Sequence, residues 1–161
     1  MKKTATLWWI LGFAILVVGL FAWSNAAAKH KNSSQTNREV ALTCTTDMAT
    51  QFHIHPILKI IANGREQTVP ANLGILPSCM KSLHTHDTSG VIHVEAPEKR
   101  DFTLADFFAV WKQPFSKDEV LSYKVDATHK IRVSVNGAEV RTYENTILRD
   151  RDQIVITYEP R

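Results

Sequence analysis

The sequence contains little sulfur and lacks the motifs of the common metalloenzymes. Among its 161 residues are two cysteines and three methionines. It has no C-x-x-C pair and no H-E-x-x-H motif, and it matches neither the histidine–glutamate spacing of cupins nor the Cys-His-Met loop of cupredoxins. Since copper(I) carriers favour soft sulfur ligands, these absences argue against a thiolate-rich or thioether-rich centre.

The sequence also lacks a marked excess of basic over acidic residues outside the N-terminus. The formal net charge is +3. Setting aside Lys2 and Lys3 leaves seventeen basic and sixteen acidic residues. No basic stripe remains, so the sequence predicts no nucleic-acid partner.

The N-terminus has the pattern of a targeting segment. Lys2 and Lys3 precede an uncharged, apolar run over Leu7–Trp23, and an Ala-x-Ala segment ends just before Lys29. The run is long enough to cross a bilayer. We therefore predict a signal anchor or signal peptide over residues 1–28, with one transmembrane segment at about 7–23.

The charge at the N-terminus also predicts the location of the rest of the chain. By the positive-inside bias the two lysines stay in the cytoplasm, which predicts a single-pass cell-membrane protein whose C-terminal domain lies outside. The alternative is a secreted or periplasmic protein after cleavage before Lys29. Residues 29–43 are polar and without periodicity, which predicts a tether. Residues 44–161 are predicted to form a single extracytoplasmic α+β domain.

Both cysteines, Cys44 and Cys79, lie in the part predicted to be exported. In an oxidising compartment they are expected to form a disulfide, which closes a loop of roughly 35 residues and contributes about 3–4 kcal/mol in the chain-entropy model. Two alternatives remain open on the sequence alone. The cysteines could be thiolate ligands or a redox pair, or Cys79 could be a nucleophile with His84 as its base.

The apolar pattern predicts two hairpins and a closing strand. Apolar residues alternate from Phe52 onward, with a break at Pro56, and this period of two predicts a strand. Asn63-Gly64 and Asn136-Gly137 are hairpin turns. Further strands are predicted at residues 90–96 and 152–158, the last with Ile154, Ile156 and Tyr158 facing inward.

The segment between the two hairpins is predicted to be helical. Thr103 and Asp106 resemble a capping box at the start of a Phe/Trp-rich helix that ends before Pro114. A second, shorter helix is predicted from Ser116 to about Tyr123. The fold class is therefore α+β, a mixed β-sheet built from two Asn-Gly hairpins with the Phe/Trp-rich helix packed on it.

Five of the seven histidines lie in two short stretches, QFHIHP and LHTHDTSGVIHVE. On a strand, residues two apart point to the same side at about 6.5–7 Å, so their imidazoles can converge on one ion. A Cys44–Cys79 bond would bring the stretches together. The predicted metal ligands are His53, His55, His84, His86 and His93. Asp87 or Glu95 is predicted as an additional ligand or as a group that orients a ring.

Imidazole ligands favour copper or zinc over calcium or magnesium, with copper slightly preferred. His30 and His129 lie outside the cluster. The sequence thus predicts a membrane-tethered protein that binds, buffers or transfers copper or zinc, with a metal transporter or another envelope protein as partner. One alternative is a metal-dependent envelope enzyme with Asp87 or Glu95 as its base, and another is a non-catalytic envelope interaction domain whose histidines are incidental.

Two resemblances accompany these residues. With its pattern HxH…NG…HTHDxSG…FF…W the chain resembles a group of predicted envelope proteins that have no assigned activity, which implies export and a shared histidine core. The segment VNGAEVRTYENTILRDRDQIVITY resembles the closing strands of β-grasp (ubiquitin-like) domains, where a polar turn precedes a last apolar strand. The second resemblance implies a β-grasp-like sheet.

Overall fold

The structure is a computed structural model and describes residues 13–26, 35–46 and 50–161. It contains two compact units, Met1–Thr36 and Asn37–Arg161. In the first unit, the described residues 13–26 are helical (α1), and the large apolar side chains among them are exposed. Among the helices of the described ranges, none is both long and apolar enough to span a membrane. The segment predicted at 7–23 begins outside the described residues.

In the second unit, the described residues form two helices, a 3-10 turn and thirteen strands. The helices are α2 (Asn37–Leu42) and α3 (Leu104–Trp111), and the 3-10 turn spans Tyr143–Asn145. The strands are β1 (Cys44–Thr45), β2 (Phe52–Ile54), β3 (Ile57–Ala62), β4 (Arg65–Gln67), β5 (Ile75–Leu76), β6 (Cys79–Lys81), β7 (Leu83–His84), β8 (His93–Ala96), β9 (Glu119–Val120), β10 (Tyr123–Lys124), β11 (His129–Val135), β12 (Ala138–Val140) and β13 (Gln153–Pro160).

The two predicted Asn-Gly hairpins build one mixed sheet, which confirms the predicted α+β class. Its strand order is β12-β11-β13-β3-β4. Both residues of each turn have positive φ, as in Asn63 (52°) and Gly64 (76°), which is the conformation that Asn-Gly favours. Strand β13 pairs parallel with β3 and antiparallel with β11. The first and last strands of the sheet therefore lie side by side at its centre, an order consistent with a β-grasp-like sheet.

The core lies between this sheet and the aromatic helix, as predicted. Ile154, Ile156 and Tyr158 of β13 are buried, and so are Phe107 and Phe108 of α3. Helix α3 begins with a capping box in which the Thr103 N–H donates to Oδ2 of Asp106 at 2.9 Å. It ends at Trp111, and the C-cap residue Lys112 has a left-handed φ of 60°.

The prediction of a short helix from Ser116 to Tyr123 is wrong. The chain forms the antiparallel pair β9–β10 there, with Val120 opposite Tyr123. The Ser116 hydroxyl accepts the Asp118 N–H at 3.1 Å, a local turn rather than a helix cap. Leu121 has a φ of 54°. Leu121 follows Val120 in the turn between the two strands, and Val120 is fully buried.

Part of the segment predicted as a tether is helical. Helix α2 buries Val40 and Ala41, and Nε of Arg38 lies 2.8 Å from Oδ1 of Asp106 in α3. Burial of these two side chains and this ion pair favour the helix over an extended tether. Residues 29–34 lie outside the described residues, as does His30.

Candidate metal centre

A three-stranded sheet, in the order β2-β8-β7, carries most of the histidine cluster. In its register His53 lies opposite Glu95 and His84 lies opposite His93. Cross-strand neighbours share a face of a sheet, and so do residues two apart on one strand. All four side chains therefore face the same side. The intervening positions are apolar and buried, and they are Ile54, Leu83 and Val94.

His93 lies at the centre of the cluster because its strand is the middle one. The pairing of Ile54 with Val94 places the next residue of the chain, His55, beside His93. The ring centroids of His55 and His86 lie 4.7 and 4.5 Å from that of His93. Those of His84 and His53 lie 5.3 and 5.7 Å away. The rings of the other four predicted ligands thus surround that of His93.

The five histidines form two groups of three that could each hold a metal ion. The outer triad is His53, His55 and His93, and the inner triad is His84, His86 and His93. Within each triad the possible ligand atoms lie within 4.8 Å of one another. An ion at about 2.0–2.1 Å from each nitrogen fits between donors at this separation with small side-chain movements.

His84 is oriented for coordination. Its side chain is 0% exposed, and its Nδ1 lies 3.0 Å from the main-chain oxygen of Lys81. A carbonyl can only accept, so Nδ1 carries the proton. Burial lowers the pKa of His84, against the opposing effects of the Lys81 hydrogen bond and Glu95. The neutral ring therefore presents the lone pair of Nε2, for which the described residues supply no hydrogen-bond partner.

Glu95 lies between the two triads. Its Oε1 is 3.1 Å from Nε2 of His53, 3.8 Å from Nε2 of His84 and 4.0 Å from Nδ1 of His93. The hydroxyl of Thr50 lies 3.4 Å from the other carboxylate oxygen. Glu95 can therefore coordinate an ion or accept a proton from an imidazole.

Asp87, the other predicted carboxylate, stabilises a turn. Its Oδ1 accepts the Ser89 N–H at 2.8 Å, and hydrogen bonds from Ser89 lower its pKa. The Ser89 hydroxyl in turn accepts the Val91 N–H at 3.3 Å. These contacts make Asp87 and Ser89 parts of the HTHDTSG loop, and neither belongs to a triad.

The cluster strongly perturbs the titration of its central ring. The pKa of His93 is lowered from 6.5 to about 4, mainly because of burial and further because of the charges of His86, His55, His84 and His53 when these rings are protonated. Five imidazoles so close together cannot all become cations at low cost. The neutral form, which binds metals, is thus favoured at His93.

The disulfide holds the strand that leads into the inner triad. Cys44 and Cys79 are bonded with their Cα atoms 5.5 Å apart, as predicted, and the described part of the chain contains no free cysteine. This corrects the alternatives in which Cys79 is a nucleophile or the cysteines are metal ligands. In the β1–β6 pair Cys44 lies opposite Lys81, whose carbonyl orients His84.

Two glycines allow the close approach of the histidine segments. Gly90 has a φ of 83°, and a Cβ there would lie 2.2 Å from the oxygen of Leu58. Gly74 has a φ of 72°, and a Cβ there would lie 2.4 Å from the oxygen of Leu83. No larger residue fits either place without moving the backbone beside His84 or the HTHDTSG loop.

Asp150 supports the outer triad, although it was not among the predicted site residues. Its Oδ1 accepts the His55 N–H at 2.9 Å, and the Arg151 N–H donates to the oxygen of His55 at 3.3 Å. Asp150 belongs to the run RDRD at residues 149–152, and no local pattern links it to a residue 95 positions away. His129 was correctly placed outside the cluster, and its ring stacks on Tyr158 at 4.9 Å.

Comparisons of the chain with protein-family models, with curated protein sequences and with solved structures gave no match.

Proposed function

We propose that this protein binds a transition-metal ion, copper or zinc, at the histidine cluster and buffers it or transfers it to a partner. The observation that carries the proposal is the orientation of His84. A buried polar atom normally has a partner, because an unsatisfied one costs about 1–3 kcal/mol. Nε2 of His84 instead lies within 4.8 Å of ligand nitrogens of His86 and His93 and 3.8 Å from Oε1 of Glu95, and a metal ion bound by the inner triad satisfies it.

The donor set selects the class of ion. Imidazole nitrogens suit zinc, copper, nickel and iron, whereas calcium and magnesium prefer shells of oxygen. Three imidazoles with Glu95 or a water complete a tetrahedral zinc site. Copper(II) binds nitrogen ligands most tightly among the divalent ions of its series, so copper remains the preferred ion in this proposal.

Exposure of the cluster supports binding and transfer over permanent storage. The side chains of His53 and His55 are 43% and 42% exposed, and His86 is exposed. A partner can therefore reach the ligands of a bound ion and replace them one at a time. The partner we propose is a metal transporter or another protein of the cell envelope.

The proposed location is the outer side of a membrane. The disulfide supports an oxidising compartment. Lys2, Lys3 and the apolar run over 7–23 support a membrane tether with the second unit outside. In this location a tether keeps the metal centre close to transporters.

A metal-dependent envelope enzyme is the second candidate, and the position of Glu95 is the observation that favours it. A carboxylate within 4.0 Å of three imidazole nitrogens could take a proton from a metal-bound water. Asp87 is not suited to this role because its carboxylate is hydrogen-bonded in a turn. If the metal-loaded protein turns over a substrate and Glu95→Gln abolishes turnover without releasing the metal, the enzyme becomes the better proposal.

The test of the proposed function is the metal content of the full-length protein, purified without a histidine tag. We expect copper or zinc by elemental analysis, or its uptake after addition of Cu(II) or Zn(II). The double variant His55→Ala/His86→Ala removes one exposed ligand from each triad, so its fold should be retained while binding is lost.

The matched control is His129→Ala, which removes a histidine outside the cluster and should leave the metal content unchanged. The proposal would be refuted if the wild-type protein were metal-free and also did not bind added Cu(II) or Zn(II). The histidines would then belong to an interaction surface.

A further inference from the structure

The two triads are separate on the sheet except for the ring that they share. The outer pair, His53 and His55, comes from β2 and the loop after it, while His84 and His86 come from β7 and the loop after it. The rings of the outer pair lie 4.4 Å apart and those of the inner pair 4.9 Å apart. His93 on the central strand β8 completes both triads.

We propose that the cluster holds one ion at a time and that this ion exchanges between an outer and an inner position through His93. This inference rests on the proposed function and adds to it a route for the ion. At each position two rings of one pair and His93 coordinate the ion. Transfer replaces the two nitrogens of one pair by those of the other, while the shared ligand keeps the ion within the protein.

The arrangement of negative charge argues for single occupancy. Glu95 is the carboxylate that contacts histidines of both triads, 3.1 Å from Nε2 of His53 and 3.8 Å from Nε2 of His84. Two divalent ions only a few ångströms apart repel each other strongly in a partly buried site. Two ions bound at the same time would also need one ring nitrogen of His93 each. The ring would then have to lose the N–H proton that it keeps in its neutral form.

The two positions differ in the burial of their unshared ligands. Both unshared ligands of the outer triad are more than 40% exposed, whereas the inner triad combines one exposed ring, His86, with a buried one. The inner triad contains His84, which is fully buried and already presents a lone pair. The outer position therefore receives or releases the ion, and the inner position retains it.

Single occupancy of two alternative positions makes a quantitative prediction. Each position contributes its own association constant, so the constant of the wild-type protein is the sum of the two. His55→Ala removes an outer ligand and leaves the inner triad complete, whereas His86→Ala does the reverse. Both side chains are substantially exposed, and the hydrogen bonds that fix His55 use its main chain.

The experiment is a titration of the full-length protein with Zn(II) in competition with a chelator of known affinity. We expect one equivalent bound by the wild-type protein and by each single variant. The two variant constants should add up to that of the wild type within about threefold, close to the spread expected when two substitutions act independently. His93→Asn should weaken binding more than either single variant, and His129→Ala should have no effect.

Three results would overturn the exchange while leaving metal binding intact. Two equivalents in the wild-type protein would show independent sites. A wild-type constant above the sum by more than about threefold would show a single site that uses both pairs at once. Absence of binding in one variant and an unchanged constant in the other would show one position only. If no protein of the series binds Zn(II) or Cu(II), the proposed function itself fails.

Discussion

Nε2 of His53 lies 3.4 Å from Nδ1 of His93, and the same Nε2 lies 3.1 Å from Oε1 of Glu95. A lone pair on Nε2 of His53 would lie against the negative carboxylate at this distance, so the contact favours the tautomer that carries its proton on Nε2. An ion that binds at this nitrogen must displace the proton. His84 is different, because its proton is on Nδ1 and its Nε2 is ready to coordinate. The inner triad therefore offers a free lone pair at His84, whereas the outer triad must first lose a proton at His53.

Glu95 and Asp87 should respond differently to removal of their charge. Glu95→Gln keeps the size of the side chain but removes the carboxylate that contacts His53 and His84, so we expect metal affinity to fall about 10–100-fold. Asp87→Asn should leave the affinity unchanged, because this carboxylate serves a turn. Competition titrations with Zn(II) measure both. Equal losses in the two variants would contradict the geometry described for Glu95.

The metal-free protein should lose stability in mild acid. The pKa of His93 is lowered from 6.5 to about 4 in the folded state, mainly by burial, and burial also lowers that of His84. Between these pH values the unfolded chain binds more protons than the folded one. The free energy of unfolding should therefore decrease as the pH falls from about 6.5 and level off near pH 4.

Urea unfolding at a series of pH values, with a chelator present, measures this dependence. His93→Asn should flatten the slope between pH 6.5 and pH 4, the two limits set by the shift. His129→Asn, on β11 away from the cluster, serves as the matched control and should retain the wild-type slope. If His93→Asn leaves the slope unchanged, the cluster does not shift the titration of this ring.

The parts of the fold that follow from local periodicity were predicted from the sequence. Alternation from Phe52, the break at Pro56 and the two Asn-Gly turns predict β2, β3 and the hairpins, because side-chain direction on a strand has a period of two. The aromatic helix follows from its capping residues. The convergence of the two His-x-His pairs was also predicted, since the expected disulfide joins segments near both.

What the sequence did not predict depends on contacts between distant residues. Asp87 and Glu95 are both carboxylates that lie near histidines in the sequence. Only the turn at Ser89 and the register of β8 distinguish their roles. The support that Asp150 provides to His55 depends on the loop between residues 149 and 152. The short helix predicted at Ser116 was wrong because burial of Val120 outweighed a local pattern that resembles a helix cap.

Removal of the disulfide should affect both stability and metal binding. Cys44→Ser/Cys79→Ser opens a closed loop that spans 35 positions and should lower the free energy of unfolding by about 3–4 kcal/mol. It also releases the β1–β6 pair that holds Lys81, whose carbonyl orients His84. Zn(II) affinity, measured under conditions where circular dichroism shows the variant folded, should therefore fall.

The inner triad should carry most of this loss of affinity. With His86→Ala as background, only the outer triad is complete, so removal of the disulfide should change the remaining affinity little. With His55→Ala as background the loss should be as large as in the wild type. An equal loss in both backgrounds would mean that the disulfide does not act through the orientation of His84.

Gly90 should be far less tolerant of substitution than Gly137, although both have a φ of 83°. An added Cβ at Gly137 meets no atom within 4 Å, whereas at Gly90 it would lie 2.2 Å from the main-chain oxygen of Leu58. Gly137→Ala should cost about 1–2 kcal/mol for its backbone conformation alone. Gly90→Ala adds the separation of β3 from the histidine loop, a further cost of about 1–3 kcal/mol.

Chemical denaturation of the two variants measures this difference, and Zn(II) titration shows its consequence for the site. The Leu58 N–H donates to the oxygen of Gly90 at 2.8 Å, so a shift here moves the loop that leads from His86 to His93. Gly90→Ala should therefore weaken metal binding as well as the fold, while Gly137→Ala should leave the affinity unchanged. If the two variants cost the same, the contact between Gly90 and Leu58 does not restrict the position of the histidine loop.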